Sequence, residues 1–147
     1  MTLPNVDRLR LALGTSFKVS KITQTNKKTK KQEPILWIVT PFLDTKNNPI
    51  YISVREQTNG AGDTLLYISD DQYASSFLWD LKSFRPKAKK ARRAIEKMIE
   101  NNNTVLNNGY LFIRLLPKDG NDEILVAEQI KNLTRIVLLA TGLPLFI

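Results

Sequence analysis

Seven basic residues, Lys82, Arg85, Lys87, Lys89, Lys90, Arg92 and Arg93, stand within twelve positions and no acid lies among them. Four more, Lys27, Lys28, Lys30 and Lys31, form a second acid-free run. Together the two runs hold 11 of the chain's 22 basic residues, which leaves 11 basic against 14 acidic residues elsewhere. The protein is therefore a mildly acidic body carrying two basic patches, although its formal net charge is +8. Such segregation favours a polyanionic partner, because clustered cations raise the local potential far more than scattered ones. A basic run is ordinarily a solvated face kept polar for solubility, but solvated faces mix signs.

The segment from Lys87 to Glu100 has the period of a helix. Ala88, Ala91, Ile95 and Ile99 fall at i, i+3, i+7 and i+11 with Met98 beside them, and form one apolar stripe. At 100° per residue Lys89, Arg93 and Lys97 lie opposite that stripe, with Lys90 close by. The expected result is a cationic ridge whose back is docked on the core. Arg85, Lys87, Lys89, Lys90, Arg92, Arg93 and Lys97 are the candidate contacts to nucleic acid or to an acidic protein surface. A ridge of this kind neutralises several phosphates, and its binding falls steeply with salt. Phe77, Trp79 and Phe84 stand just upstream, where aromatic rings can stack on unpaired bases. Lys27, Lys28, Lys30 and Lys31 are the weaker candidates, since a lysine-rich hairpin tip is often only a solvated loop.

The chain has no histidine and no cysteine. Zinc, haem and copper sites lose their usual ligands, and triads built on histidine or cysteine nucleophiles are excluded. What remains for catalysis is carboxylates with magnesium, and Asp44, Glu56, Asp70 and Asp71 are the acids placed at or near strand ends. A magnesium-dependent nuclease using Asp44, Asp70 and Asp71 is thus an alternative. Against it, the stretch Ser53-Val54-Arg55-Glu56-Gln57 lacks a lysine two residues beyond an acid, and Asp70 and Asp71 suit a helix start. No catalytic residue, metal or cofactor is expected.

These residues need a scaffold. At 147 residues with 42% apolar content the chain fits one domain with its own core. Val6 to Leu13 reads as a short helix, with Asn5 as its cap and Gly14 as its stop. Four strands follow, from Phe17 to Gln24, Ile35 to Phe42, Ile50 to Val54 and Leu65 to Ile68. Their turns are signalled by the Lys-rich segment from Thr25 to Pro34, by Asn47-Asn48-Pro49 and by the glycine-rich stretch from Thr58 to Asp63. Ser69, Asp70 and Asp71 suit the start of a helix to about Lys82, and the ridge helix follows Pro86. Val105-Leu106 and Tyr110 to Leu116 flank Asn107-Asn108-Gly109, a strong hairpin signal. A last helix opens at Asp119 to Asp122 and runs to about Thr141. The fold class expected is α+β over residues 1–147, a single domain in which an antiparallel sheet (a four-stranded meander plus a hairpin) packs with three to four helices.

The start of the chain carries Asp7, Arg8 and Arg10 where a signal peptide would be uncharged, and no run of 18 apolar residues is present, so a cytoplasmic protein with no membrane partner is expected. The final stretch, Ile136 to Ile147, is nearly uncharged. Glu128, Lys131 and Arg135 mark a wet face that disappears beyond Arg135, which the chain's own core or a homodimer partner would have to cover.

Thr40-Pro41-Phe42-Leu43-Asp44 leads into the strand from Ile50 to Arg55, then Ser69-Asp70-Asp71-Gln72, the basic pair Arg92-Arg93, the hairpin strand Tyr110 to Leu116 and an apolar helix from Ala127 to Leu143. Over roughly residues 35–143 this order resembles the phage and prophage proteins catalogued as domain of unknown function 1828. Gln72 replaces the family's usual glycine, and Asn47-Asn48-Pro49 departs from its usual polar turn. The resemblance implies a small viral protein acting in the cytoplasm of a bacterial host, on nucleic acid or on a host defence complex. The function expected is non-enzymatic binding of nucleic acid or a nucleoprotein complex through the basic helix. The alternative of a different kind is a counter-defence inhibitor, of anti-CRISPR or anti-restriction type, docking on a host protein.

Overall fold

The computed structural model describes residues 3–27, 29–44, 47–58, 60–70, 93–94, 96–97, 104–107, 110–115 and 122–142. Helix α1 (Val6–Leu13) opens the chain, and strands β1 (Lys18–Thr25), β2 (Gln32–Leu43), β3 (Pro49–Thr58) and β4 (Thr64–Ser69) follow. Strands β5 (Thr104–Asn107) and β6 (Tyr110–Leu115) precede the long helix α2 (Glu123–Gly142). The strands form one antiparallel sheet in the order β1-β2-β3-β4-β6-β5. The four-stranded meander and the added hairpin are as the sequence implies, and the α+β class holds. The expected three to four helices are two among the described residues. Of the two expected between β4 and β5, only Arg93, Ala94, Glu96 and Lys97 are described, and they are helical.

Local chemistry explains the boundaries. The Asn5 side chain accepts the Arg8 amide at 3.0 Å and caps α1. Gly14 closes α1 at φ 94°, where a side chain would be strained. The Asp122 carboxylate accepts the Leu125 amide at 3.1 Å and starts α2. Asn5 also donates its main-chain N–H to the Glu123 carboxylate at 3.3 Å, which ties the starts of the two helices together.

The strand register sorts side chains into two faces, because successive residues alternate. Leu36, Val54, Ile68 and Ile113 form one row across the sheet, and Val19, Ile38 and Ile52 another. All of these are buried. They pack with Leu9 and Leu13 of α1 and with Val126, Ile130, Leu133 and Val137 of α2 in one apolar cluster. The opposite face carries Trp37 and Tyr51, stacked at 5.2 Å between ring centroids, together with Ser53, Arg55, Tyr67 and Arg114. Ile35, Ser53 and Ser69 are buried on that second face.

Two expectations shift. The strand expected from Ile35 begins at Gln32, and the one expected to end at Val54 runs to Thr58, so both hairpins are longer than their apolar runs. On α2, Glu128, Lys131 and Arg135 are exposed as expected. Beyond Arg135 the outer face continues rather than vanishing: Ile136 and Val137 are buried, while Leu139 is 51% exposed. Leu139 lies four residues past Arg135 and therefore extends the same stripe.

Candidate nucleic-acid interface

Of the residues expected on the ridge, Arg93 and Lys97 are described. Both are exposed and helical, and their spacing of four places them on one side of the helix. Ala94 between them is half-buried. Arg85, Lys87, Lys89, Lys90 and Arg92 lie outside the described residues, as do Lys82, Phe77, Trp79 and Phe84.

The second basic run is built on a folded tip. Asn26 organises it: its carbonyl accepts the Lys30 amide at 2.8 Å, its amide donates to the Lys31 carbonyl at 2.8 Å, and its side-chain oxygen accepts the Thr29 amide at 3.3 Å. The Asn26 side-chain amide also donates to Glu33 at 3.1 Å. Lys30 sits at φ 57°, so the main chain turns sharply there. Lys27, Lys30 and Lys31 are all exposed, and Lys28 lies outside the described residues. The structure thus presents three of the four expected lysines on a closed six-residue loop.

This tip ends a ribbon that sequence reasoning did not single out. Arg10 of α1 donates through Nε and Nη2 to the Val19 carbonyl, at 3.1 and 2.7 Å. That carbonyl therefore points away from β2, and alternation turns the main chain of Lys18, Ser20, Ile22 and Gln24 toward it. Their partners are Val39, Trp37, Ile35 and Glu33. The residues of β2 left to face β3 are then Gln32, Pro34, Leu36 and Ile38. Proline has no N–H to donate, and pairing with β3 stops at Leu36↔Val54 while pairing with β1 continues to Gln32. Beyond buried Ile35 the β1–β2 hairpin is a two-stranded ribbon with no third strand paired to it among the described residues. Its side chains Thr23, Gln24, Thr25 and Gln32 are exposed, as are Lys18 and Lys21 nearer the base. Glu33 is the only acid between Asp7 and Asp44. The signals available in the sequence were that stretch with a single acid and a proline at the start of an apolar strand.

Of the acids weighed for a nuclease, Asp44 and Asp70 lie apart. Asp44 is buried and builds its own turn: its carboxylate accepts the Asn48 amide at 3.0 Å, and its amide donates to the Asn48 carbonyl at 2.9 Å. Asn47 takes φ 62° in that turn, a conformation asparagine tolerates. Asp44 adjoins the Leu43↔Pro49 pair, whereas buried Asp70 follows the Ser53↔Ser69 pair on the other flank of β3. At ~3.3 Å per residue and ~4.8 Å per strand their backbones are roughly 16 Å apart, too far to share an ion held at about 2 Å. Glu56 lies inside β3, half-buried, rather than at its end. Asp71 lies outside the described residues. Among the described residues no three acidic side chains gather as a metal site would require, and no helix is long and apolar enough to cross a membrane.

Comparison of the chain with the models of known protein families, with curated proteins and with solved structures finds no match, so the likeness to the phage family stands on the residues quoted for it alone.

Proposed function

We propose that the protein is a non-enzymatic binding protein that engages nucleic acid through the basic segment from Arg85 to Lys97, with Lys27, Lys28, Lys30 and Lys31 as a second contact. The observation that carries this reading is the segregation of charge: half of the basic residues stand in two runs without an acid. The exposure of Arg93, Lys97, Lys27, Lys30 and Lys31 supports it, since each is free of burial that would oppose a phosphate contact. The proposed setting, taken from the family resemblance, is a phage or prophage protein at work in the cytoplasm of its bacterial host.

The test is retention on DNA at stepped salt. Replacing Lys89, Arg93 and Lys97 together (Lys89→Glu, Arg93→Glu, Lys97→Glu) should abolish retention while the circular-dichroism spectrum stays that of the parent. Parent binding should weaken by orders of magnitude between low and moderate salt, as counterion release demands. Binding to host proteins that survives both nuclease treatment and moderate salt would instead favour the counter-defence inhibitor, because a packed protein interface depends far less on salt.

A further inference from the structure

We propose that the free end of the β1–β2 hairpin is a DNA-reading arm that enters the major groove of duplex DNA. This rests on the nucleic-acid reading above and adds to it a substrate class and a base-reading role for the second contact.

The geometry is that of a ribbon released on purpose from its sheet. Three paired rows with exposed side chains, Thr23↔Pro34, Gln24↔Glu33 and Thr25↔Gln32, extend beyond buried Ile35 and past the last pairing with β3. At ~3.3 Å per residue they give roughly 10 Å of two-stranded ribbon before the tip. A B-form major groove is about 12 Å wide and about 8.5 Å deep and admits such a ribbon. Pro34 ends the pairing on one flank and β1 is the edge of the sheet, so neither flank of the ribbon is paired among the described residues. The tip is held by its own hydrogen bonds through Asn26, so little order has to be gained on binding.

The chemistry along the ribbon matches the groove. Lys27, Lys30 and Lys31 at the tip, with Lys18 and Lys21 at the base, bracket the ribbon with cations placed to meet phosphates on either side. Glu33, the one acid, is engaged by the Asn26 amide. Between the cations stand exposed Thr23, Thr25 and Gln32 on one face of the ribbon, with Gln24 on the other, and glutamine pairs with the N6 and N7 edge of adenine. An A-form RNA duplex hides its major groove, so the same arm discriminates against RNA.

The full-length protein is titrated into a short fluorescent DNA duplex, an RNA duplex of the same sequence and the single strand, all at one salt. The DNA duplex should be preferred over the RNA duplex, and methyl green in the major groove should compete where netropsin in the minor groove does not. The triple substitution Lys27→Gln, Lys30→Gln and Lys31→Gln should flatten the salt dependence, lowering the slope of log affinity against log salt by roughly 2.7 for three lost phosphate contacts. Gln32→Ala, on the face shared with Thr23 and Thr25, should leave that slope unchanged and reduce discrimination between duplex sequences by roughly tenfold. If the arm variants bind duplex DNA as the parent does while the ridge variant fails, the arm proposal falls and the ridge reading stands. Equal affinity for RNA and DNA duplexes, or competition by netropsin alone, also overturns it. A parent that binds no nucleic acid removes both readings together.

Discussion

Asp44 sits between two roles that only coordinates separate. As a residue type at a strand end it qualifies as a magnesium ligand, yet its carboxylate is committed to the Asn48 amide in the turn between β2 and β3. Losing that buried carboxylate removes the hydrogen bond that closes the turn. Asp44→Ala should therefore lower stability by about 1–3 kcal/mol in urea unfolding. The protein incubated with magnesium or manganese should leave DNA and RNA uncut, and cleavage that disappears in Asp44→Ala would restore the nuclease. The sequence revealed Asp44 as a turn residue through Asn47-Asn48-Pro49. It did not reveal that the turn buries it, since burial depends on which strands flank β3. Arg10 was equally opaque: it reads as an ordinary charge on a helix, and its grip on the Val19 carbonyl exists only because α1 lies against β1.

Elements were the most legible level. Apolar alternation located β3, Asn5 and Gly14 bracketed α1, and the hairpin signalled by Asn107-Asn108-Gly109 is found with Asn107 paired to Tyr110. The polar ends of β2 and β3 were not legible. Gln32, Glu33 and Pro34, like Glu56 to Thr58, carry no apolar alternation, because neither stretch has a core to face. Pro34 was informative in a different sense, as the residue that ends pairing with β3. Pro34→Val restores a donor on that flank and should let β3 zip past Leu36. Slower amide exchange at position 34 and beyond, with weaker duplex binding, is the expected result. Unchanged exchange there would mean that strand twist, not the missing N–H, frees the ribbon.

For the whole molecule, α1 and α2 cover one face of the sheet, and the outer side of α2 carries Glu128, Lys131 and Arg135 between Ile124 and Leu139. Ile124 is 69% exposed and Leu139 51% exposed, so the apolar ends of this stripe are open while its middle is charged. Ile136 and Val137, for which a second subunit was one expected cover, are buried by the chain itself. The homodimer is therefore proposed through Leu139, and its benefit would be the pairing of two basic surfaces on one polyanion. Sedimentation at micromolar concentration should show more than the 16.8 kDa monomer, and Leu139→Glu should return it to that mass. A parent that sediments as a monomer removes the dimer.

The hydrogen bond from the Asn5 amide to Glu123 joins residues 118 positions apart. It marks a fold whose covering layer comes from opposite regions of the chain, and this has a consequence for biosynthesis. On the ribosome, β1 to β4 emerge with Ile38, Ile52, Val54 and Ile68 in place, while the helix that covers them is still untranslated. At roughly 5–20 residues per second the sheet waits several seconds for α2 to reach its apolar face. Nascent chains halted at Asp122 should be captured by chaperones and degraded, whereas chains released after Gly142 should resist protease. Cells making this protein would thus depend most on chaperones during elongation, not after release.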